Sequence, residues 1–358
     1  MKYSPMAYAG QVIRYNSPMP LPSYSQAEQI TTILDGAHHI VIVQADNPDA
    51  DSLGSALALE AVLGDMGKQT TMYCGVDMPT YLRYLEGWDR VVRDLPRQFD
   101  ASIIVDASTS TLLEKLQQSG QQHWLASKPC IVLDHHAEVS NPINYATVTL
   151  NDHTRSSTGE LLYTLCKQIG WPLGIEAQTH MMTAILGDTQ GLSNQLTSAD
   201  TYRVMAGMTD EGVDRGRLEE RRRETNKMPA VIFRYKAALI DRTELLCDGQ
   251  LAFVRVPQTE IAEYSPLYNP APLIQGDMLQ TAGVRVSVVL KTYDDGKATA
   301  AIRCNHGSGI GGQLAERFGG GGHAYASGFK ILKAAPWEEI RDRCAQEVND
   351  LLRDLDRA

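Results

Sequence analysis

The chain has 358 residues, of which 43% are hydrophobic and 21% charged, a composition typical of a globular protein long enough for two ordinary domains. Its formal net charge of −10 argues against non-specific binding of long duplex DNA, because such binding requires many basic residues to neutralise the phosphates. The charge does not exclude the binding of a small nucleotide in a local pocket. The six cysteines form no Cys-x-x-Cys pair and no apolar run approaches the ~20 residues that span a bilayer, so we expect a cytoplasmic protein with reduced thiols.

The chain begins with an irregular, proline-containing extension, which we place at residues 1–28. Beyond it, apolar runs alternate with helix-like segments, and each run is nearly continuous. The predicted strands are 38–45, 69–76, 101–108 and 130–136, and two further helices are predicted at 157–169 and 175–187. This alternation is typical of βαβ units. It therefore predicts an α/β domain over residues 29–205, with a parallel sheet covered on both faces.

A charged segment separates this domain from a second one. Residues 210–227 interleave arginines with glutamates, which favours a solvated helix over a basic phosphate-binding surface. We therefore place a linker helix at 206–235. The remainder, 236–358, contains patterns typical of two hairpins, a glycine-rich passage and a final helix over 336–355. These elements predict a second, smaller α/β domain.

Acidic and imidazole side chains follow the predicted strands at the points where the strands end. They are Asp49 and Asp51 after the first run, Asp106 after the third, and Asp134, His135 and His136 after the fourth, with Asp188 following an apolar helix-like segment. Because ligands of open α/β sheets collect beyond the carboxyl ends of the strands, we expect these residues to converge. Carboxylates packed together repel one another unless a cation compensates them, and carboxylates with imidazole but no thiolate suit Mn²⁺ or Mg²⁺.

Each of these elements has an ordinary structural interpretation when it is taken alone. Asp51 before a helix is typical of an N-cap. A His-His pair most often lies on the surface or in the core without a functional role, and the Gly-Asp-Thr at 187–189 is by itself typical of a turn. Their combination in this order favours a metal site. A pair of divalent ions about 3.5–4 Å apart is the usual apparatus for displacement at phosphorus, so the pattern predicts a metal-dependent phosphoryl hydrolase.

The chain resembles the DHH phosphoesterase superfamily in five motifs. They are NPDADSLGSALAL (47–59), VDAS (105–108), LDHH (133–136), GDT (187–189) and FGGGGHAYASGF (318–329), the last similar to the glycine-rich signature of the DHH-associated domain. In size and layout the chain is most similar to the NrnA-type members, which shorten very short oligonucleotides and dephosphorylate 3′-phosphoadenosine 5′-phosphate. The resemblance implies a parallel-sheet α/β DHH catalytic domain, a smaller α/β substrate-binding domain and a cleft between them.

The resemblance also implies a role for each residue at the strand ends. Asp106 would bridge two metal ions, and Asp51, His135 and Asp188 would complete one of the two sites. Asp49 would belong to the other site. The expected ion is Mn²⁺, with Mg²⁺ or Co²⁺ as alternatives.

The resemblance also implies roles for His136 and Asp134, and the chain departs from the family pattern at Ala45. His136 would face the scissile phosphate, and Asp134 would orient a histidine, as a ligating imidazole requires. The family usually has histidine where this chain has Ala45, which cannot ligate a metal. We therefore expect the first site to bind metal weakly, to be completed by water or by Gln44 or Asp46, or to fill only with substrate present.

The glycine-rich passage of the second domain is expected to bind substrate. Gly320, Gly321 and Gly322 would allow close approach of a phosphate or base, and His323 could hydrogen-bond a terminal phosphate. Arg303 could pair with that phosphate through two hydrogen bonds. A flexible linker is the alternative interpretation of the glycines, and an ordinary hairpin arginine is the alternative for Arg303.

The sequence as a whole predicts a manganese-dependent phosphoesterase that acts as an exonuclease (oligoribonuclease) on short substrates such as pApA, with 3′-phosphoadenosine 5′-phosphate as a further substrate. One alternative is a phosphodiesterase of cyclic dinucleotides. Another is a nucleotide-binding protein with reduced catalysis, because Ala45 replaces the usual ligand. The expected partners are short oligonucleotides or mononucleotide bisphosphates, without long duplex DNA or a membrane, and the resemblance implies a homodimer.

Overall fold

The computed structural model describes residues 22–137, 141–265, 267–332 and 335–357. Most of the predicted extension, residues 1–21, therefore lies outside the described part of the chain. The chain divides into two compact units, with the boundary between Lys227 and Met228.

The first unit is an α/β unit built on a parallel sheet. Its described elements are α1 (Ala27–Asp35), β1 (His39–Val43), α2 (Ala50–Asp65), β2 (Gln69–Tyr73), β3 (Ala101–Val105), α3 (Glu114–Gln118), α4 (Gln122–Ala126), β4 (Cys130–Asp134), β5 (Val148–Asn151), α5 (Thr158–Ile169), α6 (Ile175–Asp188), α7 (Ala199–Asp210) and α8 (Arg215–Thr225). The strand order is β2-β1-β3-β4-β5, and neighbouring strands run parallel. The predicted parallel-sheet α/β fold is confirmed.

Both faces of this sheet are buried, as the continuous apolar runs predict. In β1, Ile40 and Ile42 pack in the core formed with α2, α5 and α6, whereas Val41 and Val43 pack on the opposite face. Strands buried on both faces read as unbroken apolar runs rather than as alternating patterns. The short edge strand β5 was not predicted, because its residues alternate between buried and exposed and form no apolar run.

Helix α2 lies unusually close to α6 because small residues line their contact. A Cβ atom added to Gly54 would lie 2.8 Å from the carbonyl oxygen of His180, and one added to Gly187 would lie 2.7 Å from the Cβ of Ala50. Real Cβ atoms do not approach this closely, so glycine permits the packing. This contact brings the first turn of α2 next to the end of α6, where Asp51 and Asp188 lie.

The second unit combines a mixed sheet with flanking helices. Its described elements are α9 (Ala230–Asp241), β6 (Glu244–Leu246), β7 (Leu251–Pro257), α10 (Gln258–Tyr264), α11 (Pro270–Gln280), β8 (Val286–Thr292), β9 (Ala298–Cys304), α12 (Gly311–Arg317), β10 (Gly321–Gly322), β11 (Ala326–Ile331) and α13 (Trp337–Leu355). The strand order is β10-β11-β9-β8-β7-β6. The two predicted hairpins, β6–β7 and β8–β9, and the final helix α13 are all present.

The segment predicted as one linker helix, 206–235, instead contains the end of α7, all of α8 and the start of α9. All the side chains described in α8 are at least partly exposed, which agrees with its solvated, charged pattern. Among the helices that the structure describes, none is both long and apolar enough to cross a bilayer.

Candidate metal centre

Four of the predicted ligands meet at one edge of the parallel sheet. The Nε2 atom of His135 lies 2.9 Å from Asp188 Oδ2, 3.6 Å from Asp51 Oδ2 and 3.7 Å from Asp106 Oδ1. Asp106 follows β3, His135 follows β4 and Asp51 lies in the first turn of α2, so the carboxyl ends of the strands position them. Asp188 ends α6 rather than a strand, and the α2–α6 contact brings it to the same place.

The imidazole of His135 is arranged as a metal ligand requires. Its Nδ1 lies 3.3 Å from the backbone carbonyl oxygen of Arg155, which can only accept, so Nδ1 is the donating nitrogen. Nε2 is buried and has no hydrogen bond of acceptable geometry from the described residues, although Asp188 is close. A buried imidazole nitrogen that is faced by three carboxylates fits a divalent cation.

The described residues contain two groups of ligand atoms that could each surround one ion. One group is Asp51, His135 and Asp188, and the other is Asp106, His135 and His136, with the atoms of each group lying within 4.8 Å of one another. Oxygen and imidazole ligands without thiolates suit Mn²⁺ or Mg²⁺. The chemistry of the residues therefore fits the predicted metal site.

Asp51 is fully buried and is held by three hydrogen bonds. Its carboxylate accepts from the backbone N–H groups of Thr158 at 2.7 Å and Gly159 at 3.0 Å, and from Ser55 Oγ at 3.1 Å. Burial, followed by the nearby charge of Asp188, raises the pKa of Asp51 to about 7. The carboxylate is thus fixed in place and binds a proton near neutral pH unless a cation compensates its charge.

Asp106 joins a buried carboxylate to a strained backbone. Its φ of 57° lies in the left-handed region, which residues other than glycine adopt infrequently. Thr158 Oγ1 donates to its Oδ1 at 3.3 Å. Burial and then the charges of Asp51 and other carboxylates raise the pKa of Asp106 well above its usual range. Strain of this kind is concentrated at functional sites.

Asp134 holds His136 in position. Its Oδ1 accepts from His136 Nδ1 at 2.8 Å, and its Oδ2 accepts from the backbone N–H of Ser108 at 2.9 Å. Burial alone would raise the pKa of Asp134, but these hydrogen bonds hold it below its ordinary value. The His136 side chain is 53% exposed, and the hydrogen bond that it donates to Asp134 raises its pKa. The Nε2 atom of His136 is therefore the ring nitrogen that Asp134 does not engage.

Asp49 is the N-cap of α2. Its Oδ1 accepts from the backbone N–H groups of Asp51 and Ser52, each at 3.0 Å, and Ser52 Oγ accepts from the N–H of Asp49 at 3.3 Å. The cap interpretation thus applies to Asp49, and not to Asp51 as the sequence suggests. Asp49 joins neither group of ligand atoms found among the described residues, so its role as a ligand stays a prediction.

The position of the missing histidine is apolar. Ala45 is buried in the apolar cluster that contains Val43. The neighbouring Asp46 uses Oδ2 to accept from the backbone N–H of Lys115 at 2.7 Å. Gln44 is fully buried, and neither polar atom of its amide has a hydrogen-bond partner within the described part of the chain.

The predicted substrate-binding residues lie in the second unit. Gly321 and Gly322 form β10, which pairs with β11, so this passage is part of a sheet rather than a flexible linker. A Cβ at Gly320 would lie 2.3 Å from the carbonyl oxygen of Gly328, which gives this glycine a packing role. Arg303 and His323 are exposed, and Arg303 Nη1 donates to the carbonyl oxygen of Ile302 at 2.9 Å.

Sequence reasoning missed the segment at the start of α5. Arg155, Thr158 and Gly159 each contact a predicted metal ligand. The available signal was Ser157 followed three residues later by Glu160, a spacing typical of a helix N-terminus. Ser157 is indeed the N-cap, and its Oγ accepts from the N–H of Glu160 at 3.0 Å.

Comparisons with known proteins show which proteins this chain is similar to. Residues 39–187 match the family described as "DHH family, N-terminal domain". The chain is 26% identical over 317 residues to the "Bifunctional oligoribonuclease and PAP phosphatase NrnA" of Thermus thermophilus, across 87% of this chain and 90% of that protein. It is 22% identical over 323 residues to the protein of the same name from Bacillus subtilis, across 88% and 95% of the two chains.

A solved structure shows a similar fold over nearly the whole chain. It is that of an exopolyphosphatase-related protein from Bacteroides fragilis, with a TM-score of 0.77 and 19% sequence identity. The match covers 92% of this chain and 97% of the other. This likeness extends the shared fold over both units.

Proposed function

We propose that the chain is a metal-dependent phosphoesterase that hydrolyses short oligonucleotides, and the match of residues 39–187 to the DHH family supports this proposal. The proposed substrates are dinucleotides such as pApA, with 3′-phosphoadenosine 5′-phosphate as a further substrate. The observation that carries the proposal is the buried Nε2 of His135, which faces three carboxylates at 2.9–3.7 Å. The two NrnA-named relatives support the choice of substrates.

His135 and the three carboxylates that face its Nε2 atom would hold the metal. Asp51, Asp106, His135 and Asp188 supply three carboxylates and one imidazole, which suit the proposed Mn²⁺. When bound, divalent cations at such a site lower the pKa of water and neutralise charge on phosphate oxygens. The protein contributes fixed oxygens, because hydrogen bonds already set the carboxylate of Asp51.

His136 is the residue that we assign to the scissile phosphate. Its Nδ1 is committed to Asp134 at 2.8 Å, so Nε2 is free to donate a proton to the leaving oxygen. The carboxylate of Asp134 stabilises the protonated imidazole and fixes the ring orientation. In the second unit, Arg303 and His323 are proposed to bind a terminal phosphate.

The proposed function is tested with a panel of substrates. The protein is incubated with Mn²⁺ and with pApA, cyclic-di-AMP, 3′-phosphoadenosine 5′-phosphate or a short RNA, and the products are separated chromatographically. We expect turnover of pApA and of the short RNA that is abolished by EDTA and by Asp106→Asn. Preferential opening of cyclic-di-AMP would instead identify a cyclic-dinucleotide phosphodiesterase.

A second candidate is a nucleotide-binding protein with reduced catalysis. It is favoured by Ala45, which cannot ligate a metal, and by the capping role of Asp49. Binding of pApA without turnover of any substrate in the panel would support it. In that case Ala45→His should raise the affinity for Mn²⁺, whereas Ala45→Leu, which adds similar bulk without a ligand atom, should not.

A further inference from the structure

The segment at the start of α5 contacts three of the proposed metal ligands at once. The carbonyl oxygen of Arg155 accepts from His135 Nδ1, Thr158 Oγ1 donates to Asp106, and the backbone N–H of Thr158 donates to Asp51. Thr158 is fully buried, so water does not compete for these hydrogen bonds. A single short segment therefore links ligands that come from α2, β3 and β4.

This segment is held rigid by a buried carboxylate. Glu160 is fully buried and accepts from Arg155 Nη1 at 2.9 Å, from the N–H of Ser156 at 3.2 Å and from Thr201 Oγ1 at 2.8 Å. Arg155 is itself buried and makes two further ion pairs, with Asp152 at 3.4 Å and with Asp200 at 3.3 Å. Because both charges are buried and paired, these contacts restrain the loop before α5.

These contacts orient the side chains of the proposed ligands and fix the tautomer of His135. A carbonyl that accepts from Nδ1 leaves the lone pair of His135 on Nε2, the atom that faces the carboxylates. Donors fixed on Asp51 and Asp106 direct the carboxylates and partly offset their mutual repulsion. Ligands that are oriented before the ion arrives bind it more tightly, because no ordering cost remains.

We propose that Thr158 is a positioning residue of the metal centre, which couples the carboxylates of Asp51 and Asp106 to the rigid start of α5. The proposal rests on the metal-dependent function proposed above. We propose specifically that the hydroxyl group of Thr158, and not only the volume of its side chain, sets the affinity of the site for the ion. Thr158 does not touch the substrate in this scheme.

Three variants of the full chain separate this role from a packing role. Thr158→Val keeps the shape and removes the hydroxyl, and Thr158→Ser keeps the hydroxyl. Thr164→Val is the matched control, because Thr164 is also buried on α5 and its Oγ1 donates to the carbonyl oxygen of Glu160, away from the ligands. Mn²⁺ affinity is measured by isothermal titration calorimetry, and circular dichroism in EDTA verifies that each variant is folded.

We expect Thr158→Val to bind Mn²⁺ about 10- to 100-fold more weakly, the usual effect of removing a partner of a metal ligand. Thr158→Ser should restore the wild-type affinity and Thr164→Val should retain it. At saturating Mn²⁺, KM for pApA should be unchanged in all three variants. Unchanged Mn²⁺ affinity in Thr158→Val, or equal losses in the Val and Ser variants, would overturn the proposal while leaving the proposed function intact. Wild-type protein that binds no divalent ion would instead overturn the metal centre itself.

Discussion

At the scale of single residues, Asp106 combines two features that lower the stability of the fold. Its backbone is left-handed, with φ of 57°, and its carboxylate is buried beside those of Asp51 and Asp188. Strained residues of this kind cost of order 1–3 kcal/mol and persist where the surroundings enforce them. Repulsion among the buried carboxylates adds to that cost when no cation is bound.

We therefore predict that Asp106→Asn stabilises the metal-free protein and weakens metal binding. Asparagine tolerates the left-handed region, and its neutral amide relieves the repulsion from Asp51 and Asp188. In EDTA at pH 8, chemical denaturation should show a gain of about 1 kcal/mol in the free energy of unfolding. Calorimetric titration should show a loss of Mn²⁺ affinity. A variant that is less stable than wild type in EDTA would contradict this account of Asp106.

The ionisation of Asp51 and His135 makes metal binding depend on pH. The pKa of Asp51 is about 7 because of burial, and the carboxylates of Asp188 and Asp51 outweigh burial to raise the pKa of His135 to about 9. A metal ion needs both groups deprotonated, so protons compete increasingly as pH falls through these values.

We predict that Mn²⁺ affinity falls as pH is lowered from 9 to 6, by about tenfold per pH unit for each proton displaced. Binding should release protons, which calorimetry detects as a heat that changes with the ionisation enthalpy of the buffer. In the control variant His135→Gln, Mn²⁺ binding should release fewer protons, because the imidazole that loses a proton is absent. Equal affinity at pH 9 and pH 6 would show that these groups do not hold the ion.

At the scale of elements, the contact between α2 and α6 decides whether Asp51 and Asp188 can share an ion. Gly54 lies against the backbone of α6, where a Cβ would approach the carbonyl oxygen of His180 to 2.8 Å. Gly64 lies on the same helix, and a Cβ there would meet no atom of the described residues within 4 Å. Substitution of each glycine by alanine therefore compares a position at the helix contact with a position away from it, in the same helix.

We predict that Gly54→Ala lowers the free energy of unfolding by about 1–3 kcal/mol, since the added methyl forces the helices apart. Gly64→Ala should be neutral or stabilise the protein by up to about 1 kcal/mol, because alanine favours the helix. Urea denaturation measures both variants. Metal affinity should fall in Gly54→Ala only, because the distance between Asp51 and Asp188 then grows. Equal effects of the two substitutions would argue against the proposed helix contact.

The elements also show which patterns predict secondary structure well. The four continuous apolar runs became β1 to β4, and the helices predicted at 157–169 and 175–187 became α5 and α6. Strand β5 was missed because it is short and only half of its residues are buried. The single linker helix was wrong in detail, since a charged composition indicates exposure but does not reveal where helices begin and end.

At the scale of the whole molecule, the two units have separate cores, and all four proposed ligands of the ion lie in the first unit. A ligand that binds only the folded form stabilises the unit that binds it, by about 2.7 kcal/mol at a concentration 100 times its Kd. Binding of Mn²⁺ should therefore act on one unit selectively.

We predict that differential scanning calorimetry of the full chain resolves two unfolding transitions, of which Mn²⁺ raises one. In Asp106→Asn, Mn²⁺ should no longer raise the temperature of that transition. The other transition should stay at the same temperature with and without Mn²⁺. A parallel rise of both transitions with Mn²⁺ would contradict independent unfolding of the units.

The sequence by itself determined the parallel-sheet fold of the first unit and predicted a metal site at one edge of that sheet. Continuous apolar runs ending in Asp51, Asp106 and His135 predicted both the parallel sheet and the edge at which the ligands would meet, because the ends of parallel strands share one edge. The types of side chain then predicted a divalent cation. These inferences need only local pattern and the regular geometry of the sheet.

Only the tertiary structure decided how the ligands are supported. The N-cap role of Asp49, the left-handed backbone of Asp106 and the contacts of Thr158 with two carboxylates all depend on segments distant in sequence that pack together. Asp188 lies beside Asp51 because α6 packs against α2, a contact that Gly54 permits. Such contacts arise from packing between elements, which sequence periodicity does not specify.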